Sequence, residues 1–573
     1  MNDTIHSVQF VQPRATVELH LPDGRVLSGL RGTRVGDFLK AVPEFENPLV
    51  VGAIVNSELR ELSYPIEMDS QVRPVTMVDA DGARIYRRSI TFLLEAAFEE
   101  LFPEASLAVD HSVASGGYFC QVIGRDPLTE DELRRLEQRM MELVAMDLPL
   151  ERKEVALEEA VAYFQGRGYE DKVRLLKYRQ RPTLVLYRLL EHRDYHHGYM
   201  VPSTRFLRWF SLRPLTEGFV LQYPRRHAPT ELGPMPEYPR LLNTFRQYGQ
   251  WLQRLEIESV GALNDAVQAG RAREVILVSE ALHERQIAEI AEQIVRRQDA
   301  RIVLIAGPSS SGKTTFSKRL AVQLLAQGLS PFPIEMDNYF VNRESTPLDE
   351  NGERDYEALG ALDTTRLADD LRRLIRGEEV QLPRYNFKTG LSEPGETVRV
   401  ASEQVIILEG IHGLNPGLLP AIPVEQTFRV YVSCLTQLNL DRYNRVSTTD
   451  TRLIRRIVRD ARERGYTALQ TIQRWESVRR GEKRHIFPYQ ENADAMFNSA
   501  LVFELSVLRQ WVEPLLRQVP FGRPEYIEAK RLLALLQWFL PIEEALIPDN
   551  SLLREFVGGS ILKEFKLWQN GQS

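Results

Sequence analysis

Cysteine is almost missing from this chain: Cys120 and Cys434 are the two in 573 residues. A disulfide framework is therefore excluded, and neither cysteine sits in a metal-ligand spacing. Long apolar runs are missing as well, since no stretch approaches the ~20 uninterrupted apolar residues of a membrane-spanning helix. The opening MNDTIHSVQF carries an acid and polar residues where a secretory leader needs a basic start and an apolar run. A cytoplasmic location is the resulting expectation. There is no large charge excess of either sign. At a net charge of −7, the chain as a whole is not built to coat nucleic acid or an anionic membrane. Internal repeats and low-complexity segments are also absent. What remains is an ordinary globular composition, 43% hydrophobic and 26% charged, in a chain too long for one core and long enough for roughly three or four domains.

Residues 15–80 alternate apolar and polar in short runs. Thr16-Val17-Glu18-Leu19-His20-Leu21, a Pro22-Asp23-Gly24 turn and Arg25-Val26-Leu27 predict a hairpin. A short helix (Val35 to Val42) and a strand (Leu49 to Val55) complete a unit of β-grasp size. From Arg88 to Phe102 the apolar period lengthens to the helical value, and 129–145 predicts a second helix, with Thr129 capping and Glu132 three positions on. Prolines at 224, 229, 234, 236 and 239 mark a linker or domain edge. Helical patterns from Leu241 to Arg297 lead into predicted strands 302–306, 332–336, 404–408, 427–432 and 500–505. Their alternation with helices is the order of a parallel α/β sheet. After Trp511 the chain reads helical again from Tyr526 to Leu540, before a polar tail.

The most informative stretch is Arg301–Thr315. A β-branched run enters Gly307-Pro308-Ser309-Ser310-Ser311-Gly312-Lys313-Thr314-Thr315, and an amphipathic helix carrying Phe316, Leu320 and Leu324 follows. This is the strand–loop–helix context of a triphosphate-binding P-loop. Glycines and serines let successive N–H groups turn inward at the helix N-terminus. Lys313 would reach the β- and γ-phosphates, and Thr314 would hold Mg²⁺. No N-K-x-D guanine motif follows, which disfavours a GTPase.

Three further features point from nucleotide binding to phosphoryl transfer. Asp337, in Glu335-Met336-Asp337-Asn338-Tyr339-Phe340, directly follows a predicted strand, and strand C-termini line the ligand crevice of open α/β sheets. A carboxylate there can accept the proton of an attacking hydroxyl, and Tyr339 is placed on the substrate side of the same run. Glu409 ends the apolar strand Val405–Leu408, where a Walker-B-type acid would hold Mg²⁺. In Asp450–Gly465, Arg452, Arg456 and Arg459 fall at i, i+4 and i+7 on one helix face, and Arg456 and Arg459 are the candidates to neutralise transferring phosphate. His412 reads as a structural loop histidine.

Together these residues resemble the uridine kinase family, relatives of phosphoribulokinase among the P-loop kinases, over roughly 300–510. The most specific part is the lid run Asp450–Gly465. The resemblance implies ATP and Mg²⁺, Asp337 as general base on a ribose 5′-hydroxyl, Glu357 at the ribose hydroxyls and Tyr385 beside the base. Three positions depart from the family: Gly390 replaces a uracil-reading His, Arg474 a Gln, and Tyr466 a lid Arg. Val17–Val78 resembles a TGS domain. Ile85–Val220 resembles the second additional (editing) domain of threonyl- and alanyl-tRNA synthetases, through Tyr86-Arg87-Arg88-Ser89 and Val201-Pro202-Ser203-Thr204. That domain's two metal-ligand-like pairs read Arg88, Phe92, His196 and Met200 here, so its editing chemistry is expected to be gone and His196 to be structural. With Ile547–Phe556 near the end, the whole order is similar to bacterial fused uridine kinase-like nucleoside kinases.

The expected architecture is multidomain α/β and α+β. It comprises a TGS-like β-grasp (1–80), an editing-like α+β domain (81–225), a Pro-rich linker with helices (226–299), a P-loop kinase core (300–510) and a C-terminal helical extension (511–573). The expected function is an ATP- and Mg²⁺-dependent kinase of a nucleoside 5′-hydroxyl, uridine or cytidine. Two alternatives stand beside it. One is a kinase of another small alcohol or sugar phosphate; the other is a nucleotide-dependent regulator binding tRNA or other RNA through the N-terminal domains. No membrane partner is expected. The oligomeric state and the preferred base are not legible in the sequence.

Overall fold

The computed structural model describes residues 12, 14–113, 116–236, 238–349 and 352–565. The leader reading on Met1–Phe10 and the end of the polar tail lie outside them. Among the described residues, no helix is long and apolar enough to cross a membrane. The chain divides into two compact units. One draws on residues 1–163, 181–235 and 520–527; the other draws on 164–180, 236–519 and 528–573.

In the first unit the predicted hairpin forms. Thr16–His20 pairs antiparallel with Val26–Leu30 around Gly24, whose φ of +87° is the left-handed geometry the turn requires. Ser70–Thr76 lies parallel to Thr16–His20 and antiparallel to Val50–Val55, completing a five-stranded sheet with Glu58–Arg60 at its edge. The next helix, Ala80–Leu101, starts eight residues before the apolar period suggests. Asp79 accepts from Thr76 N and Oγ1 just ahead of it, and such a turn starts a helix whatever the period of the residues behind it. Helix Glu130–Ala145 carries the expected Thr129/Glu132 capping box. A four-stranded sheet (order Ser211–Leu215, Gly218–Gln222, Gly117–Ile123, Ser106–Val113) and a three-stranded one (His192–Asp194, Thr183–Leu189, Glu151–Ala156) complete this unit.

The second unit is a five-stranded parallel sheet in the order Ser330–Glu335, Gln404–Glu409, Ile302–Ala306, Thr427–Ser433, Ala495–Asn498. Its central strand Ile302–Ala306 is buried along its whole length, as a strand covered on both faces must be. Four strands fall where the sequence predicts them. The fifth does not: it is Ala495–Asn498, and the apolar run at 500–505 is a buried turn entering helix Glu504–Arg517. An apolar run reports burial, and burial alone does not distinguish a strand from a buried turn. Helices Pro239–Arg254, Val260–Gln268 and Ala272–Arg296 precede the sheet, and Glu525–Leu536 follows it. Residues 164–180 also belong here: Lys172 Nζ lies 3.1 Å from Asp441 Oδ1, both side chains fully buried, and Asp171 pairs with Arg442 at 2.6 Å.

Candidate active site

The loop Gly307–Gly312 leaves the C-terminal end of the central strand and enters helix Lys313–Ala326. Two glycines are dictated by geometry. A Cβ on Gly307 would stand 1.9 Å from the Val432 carbonyl oxygen, and Gly312 holds φ at +84°. Ser310 is also at positive φ (+57°), a reversal of the loop backbone. Lys313 Nζ donates to the Pro308 carbonyl at 3.3 Å, curling over the loop.

Three carboxylates lie about the start of this helix, the first two within electrostatic reach of Lys313. Glu409 ends the strand beside the central one and accepts from Thr314 Oγ1 at 3.2 Å. Burial pushes its carboxyl up to about 7, against the opposing pull of Lys313, with Glu555 and Asp337 adding to the rise. Asp337 sits in the 3-10 turn Met336–Tyr339 that caps the next strand. Its side chain is exposed, yet the protein atoms around it desolvate the carboxyl enough to raise its pKa, Lys313 and Arg464 opposing the rise and Glu335 adding to it. The third carboxylate, Glu555, was not singled out as a site residue from the sequence. It comes from the distant C-terminal segment and accepts from Thr315 N at 3.1 Å and Thr315 Oγ1 at 2.9 Å. Leu552 of the same segment packs onto Gly312. The fit to Mg²⁺ is good: a threonine hydroxyl and a carboxylate are the hard oxygen donors that ion takes.

The lid arginines divide into two kinds. Arg452 and Arg455 are fully buried in helix Thr448–Arg464 and brace the P-loop from behind. Arg452 donates to the Ser309 carbonyl at 2.9 Å and pairs with Glu482. Arg455 pairs with Glu504 and reaches the Ser310 and Ser499 carbonyls at 3.4 and 2.8 Å. Arg456 and Arg459 are instead part-exposed, at 13% and 14%. Arg456 donates to Ser309 Oγ at 2.7 Å, and both flank Asp460. Glu482 also accepts from the Ser309 backbone N–H at 3.0 Å, and no local motif points to it.

On the acceptor side, Glu357 is half-buried beneath helix Ala468–His485, where Gly481 is required because a Cβ would stand 2.7 Å from the Glu357 Cβ. Burial, followed by repulsion from Glu482, lifts the Glu357 carboxyl to about 7. Tyr385 lies in an unforeseen hairpin, Val380–Asn386 with Leu391–Val398, where its ring stands 5.5 Å from Phe340 and 5.0 Å from the exposed Phe387. Tyr385 itself is buried; Tyr339, expected on the substrate side, instead has its ring in the hydrophobic core and its hydroxyl donating to Asp370. His412 is fully buried, and burial lowers its imidazole to about 4, in keeping with a structural role. The three departures from the family pattern are structurally filled. Arg343 occupies the space over Gly390, where a Cβ would stand 2.6 Å from its Nε, and it donates to the Phe387 carbonyl at 2.8 Å. The other two meet each other, with the Arg474 guanidinium 4.4 Å above the Tyr466 ring.

A P-loop at the switch point of a parallel sheet, with acids on two strand ends and an arginine-rich helix beside it, is the arrangement of a nucleotide-binding core. Residues 302–505 match the model of the phosphoribulokinase / uridine kinase family. Among solved structures, a possible uridine kinase from Bacillus stearothermophilus is 20% identical, with a TM-score of 0.24, over 35% of this chain and 89% of its own. D-glycerate 3-kinase from Cryptococcus neoformans is 16% identical, with a TM-score of 0.25, over 37% of this chain and 89% of its own. The N-terminal region matches threonine–tRNA ligases. That of Thermotoga maritima is 31% identical over 198 residues, 34% of this chain and 30% of the ligase. That of Laribacter hongkongensis is 34% identical over 195 residues, 34% of this chain and 31% of the ligase. The chain thus spans about 30% of the length of the curated relatives it matches.

Proposed function

We propose that the second unit transfers the γ-phosphoryl group of ATP to the 5′-hydroxyl of a nucleoside, uridine or cytidine. The observation that carries this reading is Asp337 at the end of a strand beside the P-loop, within electrostatic reach of Lys313 and Arg464. Phosphoryl transfer needs little covalent chemistry from the protein, so positioning and charge neutralisation dominate. Asp337 takes the proton of the attacking hydroxyl, and its raised pKa makes it a better acceptor than an ordinary aspartate. Lys313 and the P-loop amides hold the β- and γ-phosphates, while Arg456 and Arg459 offset the charge on the transferring group. Thr314 and Glu409 would hold Mg²⁺, which neutralises phosphate charge when bound. Glu357 orients the ribose, and the exposed Phe387, backed by the buried Tyr385, offers the base an aromatic face.

A second reading, a sugar phosphate or other small alcohol as acceptor, is favoured by one observation. The position that would read a pyrimidine is Gly390, and the cation Arg343 fills its space. A site that hydrogen-bonds a base discriminates strongly, and loss of that group relaxes the choice. Product formation from ATP–Mg²⁺ with a panel of nucleosides and ribose phosphates separates the two readings. For the N-terminal unit, RNA binding would appear as salt-dependent retention of tRNA by the full chain.

Two further outcomes are expected. Glu555 occupies donors at the first turn of the P-loop helix, where a phosphate would seek the same N–H. Glu555→Gln removes the negative charge but keeps an acceptor, and ATP should bind about 10-fold tighter by calorimetry. Unchanged or weaker binding would discard that competition. Glu357 has a folded-state pKa raised to about 7, so its ionisation opposes folding. Stability is lost as pH rises from the unfolded carboxyl value of about 4.3 through the folded one. Glu357→Gln should therefore melt with wild type at pH 5 and a few degrees above it at pH 8, while acceptor KM rises. Equal melting at both pH values would contradict the assignment.

A further inference from the structure

His196 is not alone. The sequence leaves it as one surviving position of the editing-type pairs, yet the fold of the first unit surrounds it with further ligand-type side chains from two elements. Helix Ala80–Leu101 supplies Glu95 and, one turn on, Glu99. The strand His192–Asp194 and the turn after it supply His192, Asp194 and His196. His192 Nε2 lies 3.2 Å from Glu95 Oε2, and His196 Nε2 lies 3.3 Å from the same oxygen. One ligand atom each from Glu95, His192 and Asp194 falls within 4.8 Å of the others. The Glu95, His192 and His196 side chains are 0%, 3% and 4% exposed.

Two ligand atoms each ~2.1 Å from a tetrahedral ion are ~3.4 Å apart, and the 3.2 and 3.3 Å separations at Glu95 are close to that value. The second ring nitrogen of His192 strengthens the case. Its Nδ1 stands 3.0 Å from Glu99 Oε2. A proton on Nδ1 facing that carboxylate leaves the Nε2 lone pair directed at the cluster, the carboxylate–histidine arrangement that orients a metal ligand. Glu95 Oε1, 3.2 Å from His196 Nε2, is buried and accepts no hydrogen bond among the described residues, so a strong acceptor is left facing the centre. Phe92 walls one side, its ring 5.0 Å from His192 and 5.7 Å from His196, which excludes water and strengthens any charge interaction within.

We propose that Glu95, His192 and Asp194, with His196 adjacent to Glu95 and Glu99 orienting His192, bind one first-row divalent cation of the Zn²⁺ class. Imidazole with carboxylate is the donor mixture such ions take, whereas Mg²⁺ and Ca²⁺ prefer oxygen alone. The burial of every ligand makes the ion a structural rivet between helix Ala80–Leu101 and the His192–Asp194 strand.

The test uses the full chain, stripped of metal by a chelator and titrated with Co²⁺ under excess Mg²⁺, which keeps the oxygen site at Thr314 and Glu409 filled. The expected result is one Co²⁺ per chain with visible d–d absorption, displaced by Zn²⁺. Glu99→Gln should weaken Co²⁺ binding by ~10–100-fold, and Glu95→Gln or Asp194→Asn should weaken it further, all with wild-type far-ultraviolet dichroism. Failure of the wild type to bind Co²⁺ or Zn²⁺ overturns the proposal, as does binding that Glu99→Gln and Asp194→Asn leave unchanged. If Glu95→Gln does not fold, the wild type and the other two variants still decide the matter.

Discussion

Replacing Asp337 by Asn should lower turnover by ~10²–10⁴ while leaving ATP affinity nearly intact. The amide keeps the shape of the side chain and cannot accept a proton. The ATP contacts proposed for Gly307–Thr315 do not involve it, so calorimetry of ATP binding and a steady-state product assay should separate cleanly. Loss of the carboxylate also removes one negative neighbour of Glu409, whose raised pKa owes part of its rise to Asp337. Any change in Mg²⁺ requirement should therefore be toward ordinary carboxylate behaviour. A variant that retains full turnover with every acceptor would eliminate Asp337 as the base. A wild type that binds ATP but makes no product from any acceptor would move the reading toward a nucleotide-dependent regulator.

The largest effect on stability is expected at Arg455, not at the part-exposed lid arginines. Its guanidinium is fully buried, paired with Glu504, bonded to Ser499 O at 2.8 Å and stacked 5.0 Å from Phe556. Arg455→Met would leave Glu504, itself almost wholly buried, without its counter-charge. Breaking a buried pair from one side costs ~3–5 kcal/mol, and the melting temperature of the second unit should fall by about 10 °C. Adding Glu504→Leu should recover most of that loss, because the cost lies in the orphaned charge. Arg456→Gln should do the opposite, with near-normal melting and turnover reduced ~10²–10³-fold. If Arg455→Met melts with wild type, the bracing role is wrong. If Arg456→Gln is fully active, the charge-neutralising role is wrong.

The P-loop and four of the five strands of the sheet could be read from the chain because their signals are local. A β-branched run, two glycines forced by backbone geometry and a helical period occupy adjacent residues, and each constrains the next. The fifth strand was misplaced because apolarity at 500–505 records burial and not conformation. The lid run shows a subtler limit. The i, i+4, i+7 spacing of Arg452, Arg456 and Arg459 was legible, and helix geometry does put them near one face. Which of them is buried under the P-loop depends on Glu482, thirty residues further on, a partner that no local pattern identifies. Tyr339 was assigned to the substrate side from its place after Asp337, yet the 3-10 turn rotates its ring into the core to meet Asp370.

The sequence by itself determined the parallel α/β class, the phosphate-binding loop and the candidate acids at strand ends, since those depend on residues within a turn or two of each other. The tertiary structure alone decided what surrounds them. It brought Glu555 from the far end of the chain onto Thr315, set Arg343 in the space over Gly390, paired Tyr466 with Arg474, and gathered Glu95, His192 and His196 into one buried cluster. Each of these joins residues far apart in the chain or on different elements, and their proximity is set by how whole elements pack to bury apolar surface. That packing leaves no periodic trace in the stretches it brings together.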